Sequence, residues 1–145
     1  SLKRFDAVIL NGNSGNFEKI ENQIKNINSD IKIFKTFYKI INIQKYNLES
    51  KYLIFSGIGN PSDFKDILLE NKFNVTREMK FPDHYNYSSD DLEKIQNIAK
   101  NENLKIITTE KDFMKLPEKF KKEIDFLAID LIIQDERKLI ELLTK

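Results

Sequence analysis

Cysteine is absent from this 145-residue chain, which excludes disulfides, zinc–thiolate centres and thiol nucleophiles. Arginine is scarce: Arg4, Arg77 and Arg137 are the only ones, so bidentate guanidinium recognition of phosphate has little to draw on. Histidine occurs once, as His84. One imidazole, no thiol and dispersed carboxylates do not compose a transition-metal site. An excess of one charge is missing as well: 24 basic residues stand against 23 acidic ones, a formal net charge of +1. No large field is available to capture nucleic acid or an anionic membrane from a distance. Long apolar runs are lacking, and none approaches the ~20 residues that cross a bilayer. The start, SLKRFDAVIL, has neither the apolar region nor the cleavage pattern of a signal peptide. A soluble, cytoplasmic chain is the expectation. It begins without Met and leads almost directly into an apolar stretch, which suggests a piece of something longer.

What is present alternates between strand and helix. The length suggests a single domain, residues 1–145. Ala7 to Leu10 reads as a strand ending in an Asn11-Gly12 turn. Residues 17–28 carry Ile20, Ile24 and Ile27 at helical spacing, either a weak amphipathic helix or an irregular excursion. Ile31 to Ile43 reads as one long strand or two short ones. Tyr52 to Phe55 is a buried strand, after which Asn60 is a candidate cap and Pro61 a first helical residue. Phe64, Ile67 and Leu68 give that helix its apolar stripe. Phe73 to Lys80 follows as a strand, and Ser88 with Asp91 resembles a capping box ahead of Leu92, Ile95, Ile98 and Ala99. Leu104 to Ile107 is another strand, and the next helix begins in Thr108–Asp112 and is limited by Pro117. Phe126 to Ile133 reads as one apolar strand, and Asp135 as the cap of a final helix with Leu139, Ile140, Leu142 and Leu143 inward. This rhythm predicts an α/β fold, a Rossmann-like three-layer sandwich with a mainly parallel sheet flanked by helices. Ligands of such sheets bind where loops leave the carboxyl ends of the strands.

Three loops compete for that role. In residues 56–61, Gly57 and Gly59 follow a strand and precede a helix, so the turn can bring backbone N–H groups to a phosphate or can simply be a tight turn needing positive φ. It is neither GxGxxG nor a Walker A loop, and no GK[ST] occurs in the chain. In FPDHYNY, residues 81–87, Asp83 precedes His84 while Tyr85 and Tyr87 follow it. A lone imidazole beside an acid can move protons near neutral pH, and a loop histidine satisfied by backbone stays open as the alternative. Thr108, Thr109, Glu110, Lys111 and Asp112 present hydroxyls, acids and a lysine at a strand end. Thr109 with Asp112 also suits an N-cap and Glu110 suits the helix dipole, which leaves Lys111 as a candidate contact to an anion. Lys32, Lys35 and Lys39 interleave with Phe34, Phe37 and Tyr38, a pattern of single-stranded nucleic-acid binders but more often of an amphipathic strand.

DAVILNG, FSGIGNPSDF (55–64), FPDHYNY (81–87) and ITTEKDFMKL (107–116) occur in that order. Together they resemble the C-terminal part of the tetraacyldisaccharide 4'-kinase family. Ser56 stands where that family often has Ala. The resemblance implies ATP-dependent phosphorylation, with Mg2+, of the 4'-hydroxyl of the lipid A disaccharide precursor at the cytoplasmic face of the Gram-negative inner membrane. It implies that an N-terminal P-loop domain, which nothing here matches, binds most of the ATP and Mg2+. The chain alone is then expected to be inactive and to need no cofactor, with peripheral membrane association through the full-length enzyme and no nucleic-acid partner. By position, His84 matches the family's histidine, which pairs with an N-terminal aspartate to activate the hydroxyl, and Asp83 is its orienting neighbour. Gly57, Gly59, Asn60, Thr108, Thr109, Glu110 and Lys111 match segments facing substrate or nucleotide. The alternatives are a stand-alone nucleotide- or anion-binding Rossmann-like module and a single-stranded nucleic-acid-binding protein.

Overall fold

The structure, a computed structural model, describes residues 7–11, 17–134 and 136–144. Its elements run β1 (Ala7–Asn11), α1 (Phe17–Ile27), β2 (Lys32–Ile40), a 3-10 turn (Ile43–Lys45), β3 (Lys51–Ser56), α2 (Pro61–Glu70) and β4 (Asn74–Lys80). They continue α3 (Ser89–Glu102), β5 (Lys105–Thr109), α4 (Glu110–Met114), α5 (Glu118–Lys121), β6 (Ile124–Leu127), β7 (Ile129–Ile133) and α6 (Glu136–Leu143). They form two compact units, Ser1–Lys39 with Ile129–Lys145, and Ile40–Ala128. The Gly12 turn and the Asp135 cap lie outside the described residues.

The first unit holds a three-stranded sheet in the order β1-β2-β7, with β1 and β2 parallel. Residues 17–28 resolve to a helix, α1, with Ile24 buried and Ile20 and Ile27 exposed. Lys35 is 2.9 Å from Glu21, so part of the basic stripe of β2 is neutralised within the unit. On α6 only Leu139 is buried, and Ile140 and Leu143 are exposed, which corrects the expected inward stripe.

The second unit is a four-stranded parallel sheet, ordered β4-β3-β5-β6 and flanked by helices, as the α/β rhythm predicts. Tyr52 through Ser56 are all buried, because a parallel strand inside such a sheet is covered on both faces. One face packs Leu53 and Phe55 against Leu92, Ile95 and Ala99 of α3, with Ile106, Leu116, Phe120 and Ile124 completing the core. A buried Leu or Phe contributes about 1.5–3 kcal/mol, against roughly 0.5–1.5 for one hydrogen bond. The strand ends are thus held by the core more than by anything at the sheet edge. The capping box of α3 forms: Asp91 N–H donates to Ser88 Oγ (3.1 Å) and Ser88 N–H to Asp91 Oδ2 (2.9 Å). Its far end closes on Asn103 in the left-handed region. Pro61 opens α2 with Asn60 at the N-cap position, but the Asn60 side chain makes no capping hydrogen bond and instead bonds Asp63 and Ser62.

The apolar stretch Phe126–Ile133 is two strands in two sheets, not one. The break is at Ala128. Its N–H goes to Asn42 Oδ1 (3.0 Å) and its carbonyl to Ile41 N–H (2.9 Å), so residues 41–42 capture the groups a continuous ladder would need. Among the described residues, no helix is long and apolar enough to cross a membrane.

Candidate functional site

β3 lies between β4 and β5. The chain leaving β3 passes through α2 to β4 on one side, whereas the chain leaving β5 passes to β6 on the other. The carboxyl ends of β3 and β5 therefore flank a topological switch point, where open α/β sheets form a crevice. The loops after β3, β4 and β5 all reach this edge, so parallel pairing brings together three segments far apart in sequence.

Hydrogen bonds tie the three loops. Phe81 N–H donates to the Ser56 carbonyl (2.9 Å) and His84 N–H to the Gly57 carbonyl (3.1 Å). Gly57 N–H donates to Asp112 Oδ2 (2.9 Å), which also accepts from Thr109 Oγ1 (2.9 Å). Asp112 is fully buried. Its Oδ1 makes no hydrogen bond of acceptable geometry but lies 3.1 Å from the Lys115 ammonium. That ion pair compensates a charge that would be costly if isolated. Lys115 Nζ also donates to the Tyr85 carbonyl (3.1 Å). Asp112 and Lys115 thus connect the start of α4 to the turn after β3 and the loop after β4. Lys115 carried no role in the sequence reading. The available signal is its place three residues after Asp112, at the C-cap of a short helix.

Neither glycine uses the left-handed conformation that the sequence suggested for this turn. Gly57 is needed for a close approach instead. A Cβ there would lie 3.1 Å from the Pro82 carbonyl oxygen, 3.1 Å from Tyr87 Oη and 3.2 Å from Tyr85 Cβ. Gly59 is exposed, and its Cβ would meet Asp83 Oδ2 at an ordinary 3.5 Å. Within these three loops it is His84 that takes the left-handed region, with φ 58°. That conformation costs an L-residue about 1–2 kcal/mol.

His84 is exposed, and its Nε2 lies 3.7 Å from Asp83 Oδ2, beyond hydrogen-bond distance. Asp83 Oδ1 instead accepts the backbone N–H of His84 (3.0 Å). Under the loop, Phe81, Tyr85 and Tyr87 pack against one another, with Phe81 and Tyr85 centroids 4.9 Å apart, and Phe81 and Tyr87 also pack edge-on against Phe55. The aromatics of this segment are its floor. Tyr85 Oη donates to Asp91 Oδ2 (2.9 Å), the same carboxylate oxygen that closes the α3 capping box. Tyr87 Oη is buried without a hydrogen-bond partner. Burial, and then the charge of Asp112, push its phenol well above the usual 10.0.

Thr108 is fully buried and its hydroxyl donates to the Phe55 carbonyl (2.8 Å), so it faces protein. Thr109 caps α4 by accepting from Asp112 N–H (3.1 Å), the pairing that the sequence suggested. Asn60, Glu110 and Lys111 are exposed. Among the described residues, no side-chain hydrogen bond or ion pair engages Glu110 or Lys111. No group of three or more histidines or carboxylates among the described residues could hold a metal. Asp112, the buried carboxylate of the site, is already engaged on both oxygens.

Comparison with known proteins agrees with the motifs. The family model described as LpxK, tetraacyldisaccharide-1-P 4'-kinase, matches residues 1–145. A Pelagibacter ubique protein named tetraacyldisaccharide 4'-kinase is 41% identical over 145 residues, all of this chain and 46% of that relative. A Rickettsia akari protein of the same name is 48% identical over 64 residues, 44% of this chain and 20% of its own length. Among solved structures, LpxK from Aquifex aeolicus, described as an "apo" form in complex with ATP, superposes with a TM-score of 0.56 at 24% identity. That match covers 99% of this chain and 43% of the other, and it speaks to the fold. The chain spans less than half the length of these relatives.

Proposed function

The chain belongs to the tetraacyldisaccharide-1-P 4'-kinase family, and from that membership we propose that it is the C-terminal part of an enzyme phosphorylating the 4'-hydroxyl of the lipid A disaccharide precursor with ATP. The observation that carries the reading is the meeting of three motif loops at the switch point, with the only histidine exposed above them. Phosphoryl transfer rests mainly on positioning and on neutralising phosphate charge. This chain has no GK[ST] loop for phosphate, so nucleotide and magnesium binding are assigned to an N-terminal P-loop domain.

In this reading His84 accepts the proton of the 4'-hydroxyl as its oxygen bonds the γ-phosphorus of ATP and the bond to the departing ADP breaks, working with an aspartate of the N-terminal domain. An imidazole suits this because its ordinary pKa is near neutrality. Exposure of the ring lets it reach a substrate held by another domain. Asp83 lies close enough to bias the ring electrostatically but not to hold it by a hydrogen bond. Gly59, Asn60, Glu110 and Lys111 are exposed and are proposed as ligand contacts, whereas Gly57, Thr108 and Thr109 act through the scaffold. The full-length enzyme works peripherally at the cytoplasmic face of the inner membrane.

The test is turnover. The full-length gene product, given ATP, Mg2+ and tetraacyldisaccharide 1-phosphate, should yield a lipid one phosphate heavier by mass spectrometry. The 145-residue chain alone should yield none. An inactive full-length product would sink the reading, and activity in the isolated chain would overturn the division of labour.

A further inference from the structure

Asp112 sits at the root of two connections that end on consecutive residues. Through Oδ2 it accepts Gly57 N–H (2.9 Å), and the Gly57 carbonyl in turn accepts His84 N–H (3.1 Å). Through Oδ1 it pairs with Lys115 (3.1 Å), whose ammonium donates to the Tyr85 carbonyl (3.1 Å). One arm therefore grips the backbone before the His84 ring, and the other grips it just after. Between them His84 holds φ 58°, a conformation that an L-residue does not keep without surrounding constraint. The Asp112 carboxylate is itself anchored, being fully buried and bonded to Thr109 at the start of α4.

We propose that Asp112 and Lys115 form a two-armed clamp that fixes the backbone of His84 and so aims its ring. Both are positioning residues in this proposal: Asp112 is fully buried, and the Lys115 ammonium is engaged by Asp112 and the Tyr85 carbonyl. The clamp gives the last residue of the TTEKD segment a definite task, and it adds Lys115, which lies outside that segment. The charges are needed because two long-range grips on a loop must outlast its tendency to relax toward negative φ. An apolar side chain at 115, with no donor, would release the Tyr85 carbonyl and leave the Asp112 charge uncompensated. The proposal rests on the kinase reading for its catalytic consequence, but not for its structural one.

The experiment compares Lys115→Met, Lys115→Arg and His84→Ala in the full-length protein, each checked for folding by circular dichroism. Hydrogen exchange of the His84 and Tyr85 amides should accelerate at least tenfold in Lys115→Met and recover in Lys115→Arg. With turnover, Lys115→Met should lower kcat at least tenfold while leaving KM for ATP within twofold. In the His84→Ala background the same substitution should lower kcat less than twofold, because its effect passes through the ring. Unchanged amide exchange would overturn the clamp, and so would an equal loss of kcat in both backgrounds. Should Lys115→Met fail to fold, Lys115→Ala, which likewise has no donor, is measured in its place against the same criteria. Absence of kinase activity in the wild type would sink the functional reading alone, since exchange needs no turnover.

Discussion

Substituting alanine at Gly57 tests the packing of the site with a single methyl group. The new Cβ would meet the Pro82 carbonyl oxygen at 3.1 Å, Tyr87 Oη at 3.1 Å and Tyr85 Cβ at 3.2 Å. None of these is the free end of a flexible side chain. Pro82 is held through its carbonyl by Tyr85 N–H, and Tyr87 is wedged between Phe55 and Phe81. Overpacking of this kind costs about 1–3 kcal/mol. Gly59→Ala is the control. It too restricts the unfolded chain, worth about 0.4–1 kcal/mol in its favour, but its Cβ has 3.5 Å to an exposed carboxylate. The unfolded-state gain is common to both variants and cancels between them. Gly57→Ala should therefore be less stable than Gly59→Ala by about 1–3 kcal/mol. Urea unfolding gives the comparison through the midpoints, provided the slopes agree. Equal midpoints, or a Gly57 variant more stable than the Gly59 variant, would refute the assignment of Gly57 to close approach.

Other outcomes follow from the same geometry. Ser88→Ala removes one half of the α3 capping box and should cost about 1 kcal/mol in equilibrium unfolding. An undiminished midpoint would show that Asp91 alone holds the helix start. Alkaline stability should depend on the half-buried Tyr46 and Tyr87. Burial first, then nearby carboxylates, raise the Tyr46 and Tyr87 phenols above 10.0. Their contribution is complete below the unfolded value and is lost as pH rises past about 10, because the unfolded chain releases those protons first. Unfolding free energies measured from neutrality into that range should fall, and Tyr87→Phe should shallow the fall. A slope unaffected by that substitution would contradict the burial of its hydroxyl.

Much of the fold was legible because its signals are local. The strand Tyr52–Phe55 is a continuous apolar run, α3 has its capping pair and its four apolar positions, and Pro61 marks the start of α2. The break at Ala128 was not legible, since it depends on Asn42 and Ile41 arriving from more than eighty residues away. The exposed Ile140 and Leu143 show the limit of periodicity: a stripe marks a helix face without saying how much of it is covered. Within the site, the motif order located all three loops. The role of Asp112 beyond its cap, and any role for Lys115, came only with the parallel register that sets β3 between β4 and β5. The turn glycines illustrate a competing cause. Sequence suggested special φ, whereas the structure uses lack of a side chain at Gly57 and puts the unusual φ on His84.

The central claim is that His84 moves the proton in 4'-phosphorylation. It is tested most directly by single-turnover and steady-state kinetics of His84→Ala in the full-length enzyme. General acid–base groups typically contribute roughly 10²–10⁴-fold, so kcat should fall by about that factor while KM for ATP stays within a few-fold. A variant that keeps the wild-type kcat would contradict the account.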